Sequence, residues 1–240
     1  MGAPVRDKRP TRTVGVEYEY KWCVDTIDAA KDPHGFLSAT VFDRHLGDVS
    51  DVVTVVQSTM YLDDERLALA DAGHSLGCVV NTGALSSIAW IRLKQTILWT
   101  GRRDCLEIAE RVPPEDIGRL VDAREVLPID YARRTGMVSG RLAPVGVATQ
   151  TRYKRTAVFT DSPAGMAYSV DVVEFRSPDD PATPLSRYSC LEIETNGSEH
   201  HALRQLDRLA DDITDWLGTS QETATKGQLA TWVTHPDHRS

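Results

Sequence analysis

Polar and apolar residues alternate along several stretches of the chain, which is the pattern of strands with one face buried. In Val14–Trp22 the residues Val14, Val16, Tyr18, Tyr20 and Trp22 share one face, and Glu17, Glu19 and Lys21 share the other. The same pattern predicts strands at Asp51–Leu62, Cys78–Asn81, Ala89–Thr96, Arg103–Ala109, Ala148–Phe159, Ala167–Phe175 and Tyr188–Thr195. Helical spacing is rarer. Pro114–Ala123 opens with a proline and first-turn acids, and Ser198–Leu217 repeats Leu203, Leu206, Leu209, Ile213 and Trp216. Segments 25–35, 127–146 and 177–186 carry glycine, proline and charge and read as loops. The pattern predicts one antiparallel β-rich α+β domain. Many short strands with few helices favour a barrel, because closure removes sheet edges. The expected domain spans residues 14–227, between a flexible N-terminus (1–13) and a polar C-terminal tail (228–240).

Composition narrows the function. The 240 residues carry 35 acids against 27 Lys and Arg, a net charge of -8, which is a poor match for a nucleic-acid polymer. No run approaches the ~18 apolar residues of a membrane span, and the basic N-terminus has no apolar signal core. Cys23, Cys78, Cys105 and Cys190 are scattered without a CxxC pair, so a reducing cytoplasm is the expected setting. Neither a P-loop nor a dinucleotide-binding glycine pattern occurs. His235 and His238 lie in a polar segment without cysteines or acids at ligand spacing, which argues against a zinc site.

The informative charges are those inside the strands. Glu17, Glu19 and Lys21 form E-x-E-x-K on one face, and Glu192 and Glu194 form a second paired-carboxylate strand near the other end. Between them lie Arg92 and Lys94 on one strand, Arg103 and Glu107 on another, Arg155, and Asp171. An alternating strand with charges on one face is usually half solvated. Here the opposite faces carry large apolar and aromatic side chains that need cover of their own, which turns the charged faces inward. Paired carboxylates on facing strands suit a hard cation such as Mg²⁺ or Mn²⁺. Arg and Lys beside them suit phosphate oxygens.

With these residues in place, the chain resembles the CYTH superfamily, the triphosphate tunnel metalloenzymes. V-E-Y-E-Y-K-W at Val16–Trp22 is similar to the family's opening signature, and Tyr61–Leu67 to its Y-F-D-T segment. Lys94, Asp171, the Glu192/Glu194 pair and Thr225–Lys226–Gly227 fall in the family's order, and Arg155 in R-T-A-V resembles a related polyphosphate polymerase domain. The resemblance implies an eight-stranded antiparallel tunnel with flanking helices that binds a small-molecule triphosphate. It implies Mg²⁺ or Mn²⁺ on Glu17, Glu19, Asp171, Glu192 and Glu194, and phosphate on Lys21, Lys94, Arg103, Arg155 and Lys226, with Glu107 as a further acid in a catalytic role. Arg92, two residues from Lys94 on the same strand face, is expected to bind phosphate in place of bases the family has and this chain lacks. The chain departs from the family where L-R-x-R is usual: Leu76–Gly77–Cys78–Val79 leaves both basic positions empty. The expected activity is metal-dependent hydrolysis of inorganic triphosphate or of a nucleoside or thiamine triphosphate. A class IV-type adenylate cyclase, a non-catalytic triphosphate- or polyphosphate-binding module and a scaffold for a partner protein are the alternatives.

Overall fold

The computed structural model describes residues 12–27, 29–82, 87–123 and 126–238. The chain runs β1 (Arg12–Cys23), α1 (Pro33–Phe36), α2 (Thr40–Asp43), β2 (Leu46–Gly47), β3 (Val53–Asp63), α3 (Ala68–Asp71), β4 (Ser75–Thr82), β5 (Ser87–Thr100) and β6 (Arg102–Val112). It continues with α4 (Ile117–Ala123), α5 (Leu127–Arg134), β7 (Ala143–Phe159), β8 (Gly165–Arg176), β9 (Pro184–Thr195), α6 (His200–Leu217) and α7 (Lys226–Thr234). Short 3₁₀ turns at Pro114–Asp116 and Pro236–His238 complete it.

Eight antiparallel strands close into a ring in the order β7-β3-β4-β5-β6-β1-β9-β8, with β8 pairing back onto β7. The two-residue β2 adds a short edge to β7. This is the expected α+β architecture, and the alternation of each strand decides what faces where. Trp22, Val170, Leu191 and Ile193 point outward from β1, β8 and β9 into a core completed by Leu206, Leu209 and Ile213 of α6. Leu76, Ile91, Leu93 and Ile108 point outward from β4, β5 and β6 against Ile129 and Ala132 of α5. The apolar faces are therefore the helix-covered outside, and the charged faces form the lining. At ~25 cal/mol per Å² of apolar surface removed from water, each helix face contributes several kcal/mol to holding its strands.

One end of the ring is plugged. Ala230 of α7 packs with the inward residues Ala148, Val173, Tyr188 and Cys190, and β7 comes close enough that a Cβ on Gly146 would sit 2.9 Å from the Ala230 carbonyl oxygen. Only glycine permits that approach.

Three local features differ from the sequence expectation. Segment 127–146 holds α5, which starts at Leu127–Pro128 with Asp130 in its first turn. Residues 228–234, expected in a polar tail, belong to α7. Its start was encoded in a capping box, in which the Thr225 hydroxyl accepts from the Gln228 backbone and the Gln228 side chain accepts from the Thr225 N–H. Residues 12 and 13, expected in the flexible N-terminus, already lie in β1; residues 1–11 of that segment fall outside the described residues.

Candidate functional site

The lining of the ring gathers nearly all of the charged residues singled out in the sequence. Glu17 and Glu19 of β1 project beside Glu194 and Glu192 of β9, because register pairs Glu19 with Glu194 and Lys21 with Glu192. On the other side of β1, Arg103 and Glu107 of β6 face inward, followed by Lys94 and Arg92 of β5. Lys226 enters from the first residue of α7.

Each acid is held by bases. The Lys94 ammonium lies 2.6 Å from Glu17, 3.4 Å from Glu19 and 3.7 Å from Glu107. Arg103 donates to Glu19 at 2.7 Å and to Thr96 Oγ1 at 2.8 Å, with its guanidinium 5.5 Å from the centre of the Trp99 ring. These contacts use much of the Arg103 fork and fix the orientation of Glu19. Asp171 is fully buried and takes a bidentate pair from Arg152, which also donates to Glu192 at 2.6 Å. Lys226 bridges Asp171 and Glu192 as well. Lys21 is buried and donates to the carbonyl of Ala224.

Arg155 is the exception. Along β7 the residues Gln150, Arg152 and Lys154 face the cavity, whereas Tyr153, Ala157 and Phe159 join the outer core. Arg155 shares the outward parity and lies opposite Tyr168, so it is removed from the candidate phosphate residues. Arg152 and Lys154 take its place. The signal was present as R-Y-K, two bases at strand spacing, but the R-T-A-V resemblance drew the reading three residues on and so onto the other face.

Cys190 was also missed. Its sulfur and carboxylate oxygens of Asp171 and Glu192 all lie within 4.8 Å of one another. Burial pushes its thiol up to about 12, which keeps it neutral. The remaining donors are the carboxylate oxygens of Asp171 on β8 and Glu192 on β9, a pair that suits a hard divalent cation. Glu17 Oε2 adds to this fit, since it is buried and contacts Lys94 but makes no hydrogen bond.

The electrostatics divide the acids. Burial opposes ionisation throughout, yet Lys226 and Arg152 hold Glu192 well below the usual carboxylate range, and Arg152 and Lys226 hold Asp171 below it. At Glu17 burial prevails over Lys94, and with Glu194 and Glu19 nearby the carboxyl is pushed well above that range. Linkage follows with opposite signs. Glu192 contributes stability that is full above its unfolded pKa and is lost as pH falls through its depressed folded value. Urea unfolding from pH 8 to pH 3 should show the gap between wild type and Glu192→Gln full above about pH 5 and narrowing below. A gap independent of pH would remove the charge pairing as its cause.

Gly77 and Val79 line the cavity without charge, where the sequence resemblance implies two bases. Arg92 lines the same cavity; its Nε lies 3.8 Å from Glu107 and makes no hydrogen bond.

No family model matches the sequence, and no curated protein matches it. Solved structures do match in fold. A candidate adenylate cyclase from Bacillus halodurans superposes with a TM-score of 0.59 at 15% identity, over 90% of this chain and 97% of that one. A candidate adenylyl cyclase from Hippeastrum, described as having a dominant triphosphatase activity, gives 0.54 at 16% identity over 88% and 92%. A Pyrococcus horikoshii protein gives 0.50 at 14% over 89% and 97%. With its closed antiparallel ring, charged lining and these neighbours, the chain has the triphosphate-tunnel fold of the CYTH type.

Proposed function

We propose that the protein is a divalent-metal-dependent triphosphatase. The observation that carries this reading is the charge balance of the lining. Seven bases (Lys21, Arg92, Lys94, Arg103, Arg152, Lys154, Lys226) stand against six acids (Glu17, Glu19, Glu107, Asp171, Glu192, Glu194), of which Glu17 is pushed towards its neutral form, so bases outnumber acids on the lining. Burying so many charges is costly unless a ligand uses them. A triphosphate brings on the order of four negative charges, more than the lining can neutralise alone, so a cation must enter with it. Glu17, Glu19, Asp171, Glu192 and Glu194 would hold Mg²⁺ or Mn²⁺. A bound divalent ion supplies neutralisation of the phosphoryl oxygens.

The chain's own groups do the rest. Lys94, Arg92, Arg152 and Lys226 bind and orient phosphate oxygens, Arg through its fork and Lys as a point charge. Arg103 positions Glu19. Glu107, held only at 3.7–3.8 Å by Lys94 and Arg92, is free to orient an attacking water and accept its proton. The Hippeastrum neighbour's triphosphatase activity is in keeping with this reading.

A phosphate-release panel over inorganic, thiamine and nucleoside triphosphates, with Mg²⁺ and Mn²⁺ compared, tests the reading. Turnover should require the metal and stop with chelator. Formation of cyclic nucleotide instead of free phosphate would favour the cyclase alternative, and metal-dependent binding without turnover a binding module. Within the panel, Arg92→Ala should lower kcat/KM by roughly 1.5–3 kcal/mol, the range of a charge-assisted hydrogen bond. Lys94→Ala is the internal control. If only Lys94→Ala is impaired, Arg92 does not bind phosphate.

A further inference from the structure

Every inward side chain that β3 and β4 contribute to the cavity is uncharged: Val55, Gln57, Thr59 and Tyr61 from one strand, Ser75, Gly77, Val79 and Asn81 from the other. This neutrality is built into the packing. A Cβ placed on Gly77 would lie 2.9 Å from Thr59 Cγ2 and 3.3 Å from the Met60 carbonyl oxygen, so the wall has closed over the position where a longer side chain would start.

Across that wall runs a row of three amides. Register sets Gln57 directly opposite Gln150 of β7 on one side and Asn81 of β4 on the other. Gln150 Nε2 donates to Gln57 Oε1 at 2.8 Å, and Gln57 Nε2 donates to Asn81 Oδ1. Each primary amide has two N–H donors and two acceptor lone pairs, so the row uses only part of its capacity. What remains is a mixed donor and acceptor edge facing the cavity. Phosphate oxygens are acceptors only and would be repelled by half of it. A planar heterocycle carries donors and acceptors on one edge, and Asn and Gln amides pair with such edges in bidentate fashion. The row is also within reach: Gln57 lines the cavity together with Arg92, Lys94 and Arg152.

We infer that the Gln150–Gln57–Asn81 row is a binding site for the base of a nucleoside triphosphate, making nucleoside triphosphates rather than inorganic triphosphate the substrate class. This rests on the triphosphatase reading above.

The test compares kcat/KM for ATP, GTP, CTP and UTP with that for inorganic triphosphate, in the full chain with Mg²⁺ or Mn²⁺. Wild type should favour at least one nucleotide by tenfold or more. Asn81→Leu breaks the end of the row while leaving the Gln150–Gln57 bond, and should reduce that preference about tenfold, the worth of one well-made hydrogen bond. Gln57→Leu should reduce it further, and thermal unfolding of both variants reads whether the fold is kept. If a variant unfolds, the wild-type preference still decides. Preference for inorganic triphosphate, or an equal fall for both substrates in a folded variant, overturns the inference and leaves the triphosphatase reading standing. A chain that neither hydrolyses nor binds any triphosphate by calorimetry overturns both.

Discussion

Arg152→Met will cost the free protein about 3–5 kcal/mol of stability, although arginine to methionine is a conservative change in length. The reason lies in what is left behind. Arg152 gives three hydrogen bonds to Asp171, whose side chain is fully buried, and a fourth to Glu192. Removing one partner of a buried ion pair strands the other charge in a medium that solvates it poorly, and such losses run to about 3–5 kcal/mol. Lys226 still reaches both carboxylates, which makes the lower half of the range the expected result. In a domain of this size the change corresponds to a fall in Tm of roughly 6–20 °C. Asp171→Asn in the same chain should recover much of the loss, because the stranded charge is then gone; the coupling in that double-mutant cycle is the decisive quantity. A loss below about 1 kcal/mol would mean that the cluster is solvated like a surface pair.

The architecture was legible because alternation in a closed antiparallel ring does two jobs at once. Tyr18, Tyr20 and Trp22 could not be left in water, so the opposite face with Glu17, Glu19 and Lys21 had to line the interior. That logic carries to Lys94, Arg103 and Glu192, which the structure places on the lining. It failed at Arg155 because a motif resemblance overrode the period of two. A three-residue offset on a strand reverses the face, and Arg152 and Lys154 had the correct parity. The α5 and α7 helices were hidden for another reason. Both are short, and α7 buries Ala230 and Thr231 against the ring end rather than presenting an amphipathic stripe. Only its cap residues, Thr225 and Gln228, announced it. The amide row was invisible because Gln57, Asn81 and Gln150 lie far apart in sequence and meet only through the registers of β3 with β4 and β7.

Glu19→Gln will abolish metal-dependent turnover while leaving the fold intact. Glu19 is buried on the lining, held by Arg103 and Lys94, and paired in register with Glu194, so a carboxamide keeps its shape and its place. What it loses is the charge that a hard divalent cation requires. Against burial, Lys94 and Arg103 hold the Glu19 carboxyl below its ordinary range, so the wild-type group is ionised at neutral pH and the substitution removes a full charge. Turnover should fall further than the roughly 10–100-fold that changing an outer-shell partner costs, and Mn²⁺ affinity measured by calorimetry should fall with it. Glu192→Gln should have a similar effect, since Glu192 lies two residues from Glu194 on the neighbouring strand. The two substitutions together should then do little more than either alone, because one already disables a shared centre. Losses that multiply would mean that the N-terminal and C-terminal carboxylates serve separate ions, and unchanged turnover of Glu19→Gln in saturating Mg²⁺ would remove Glu19 from the site altogether.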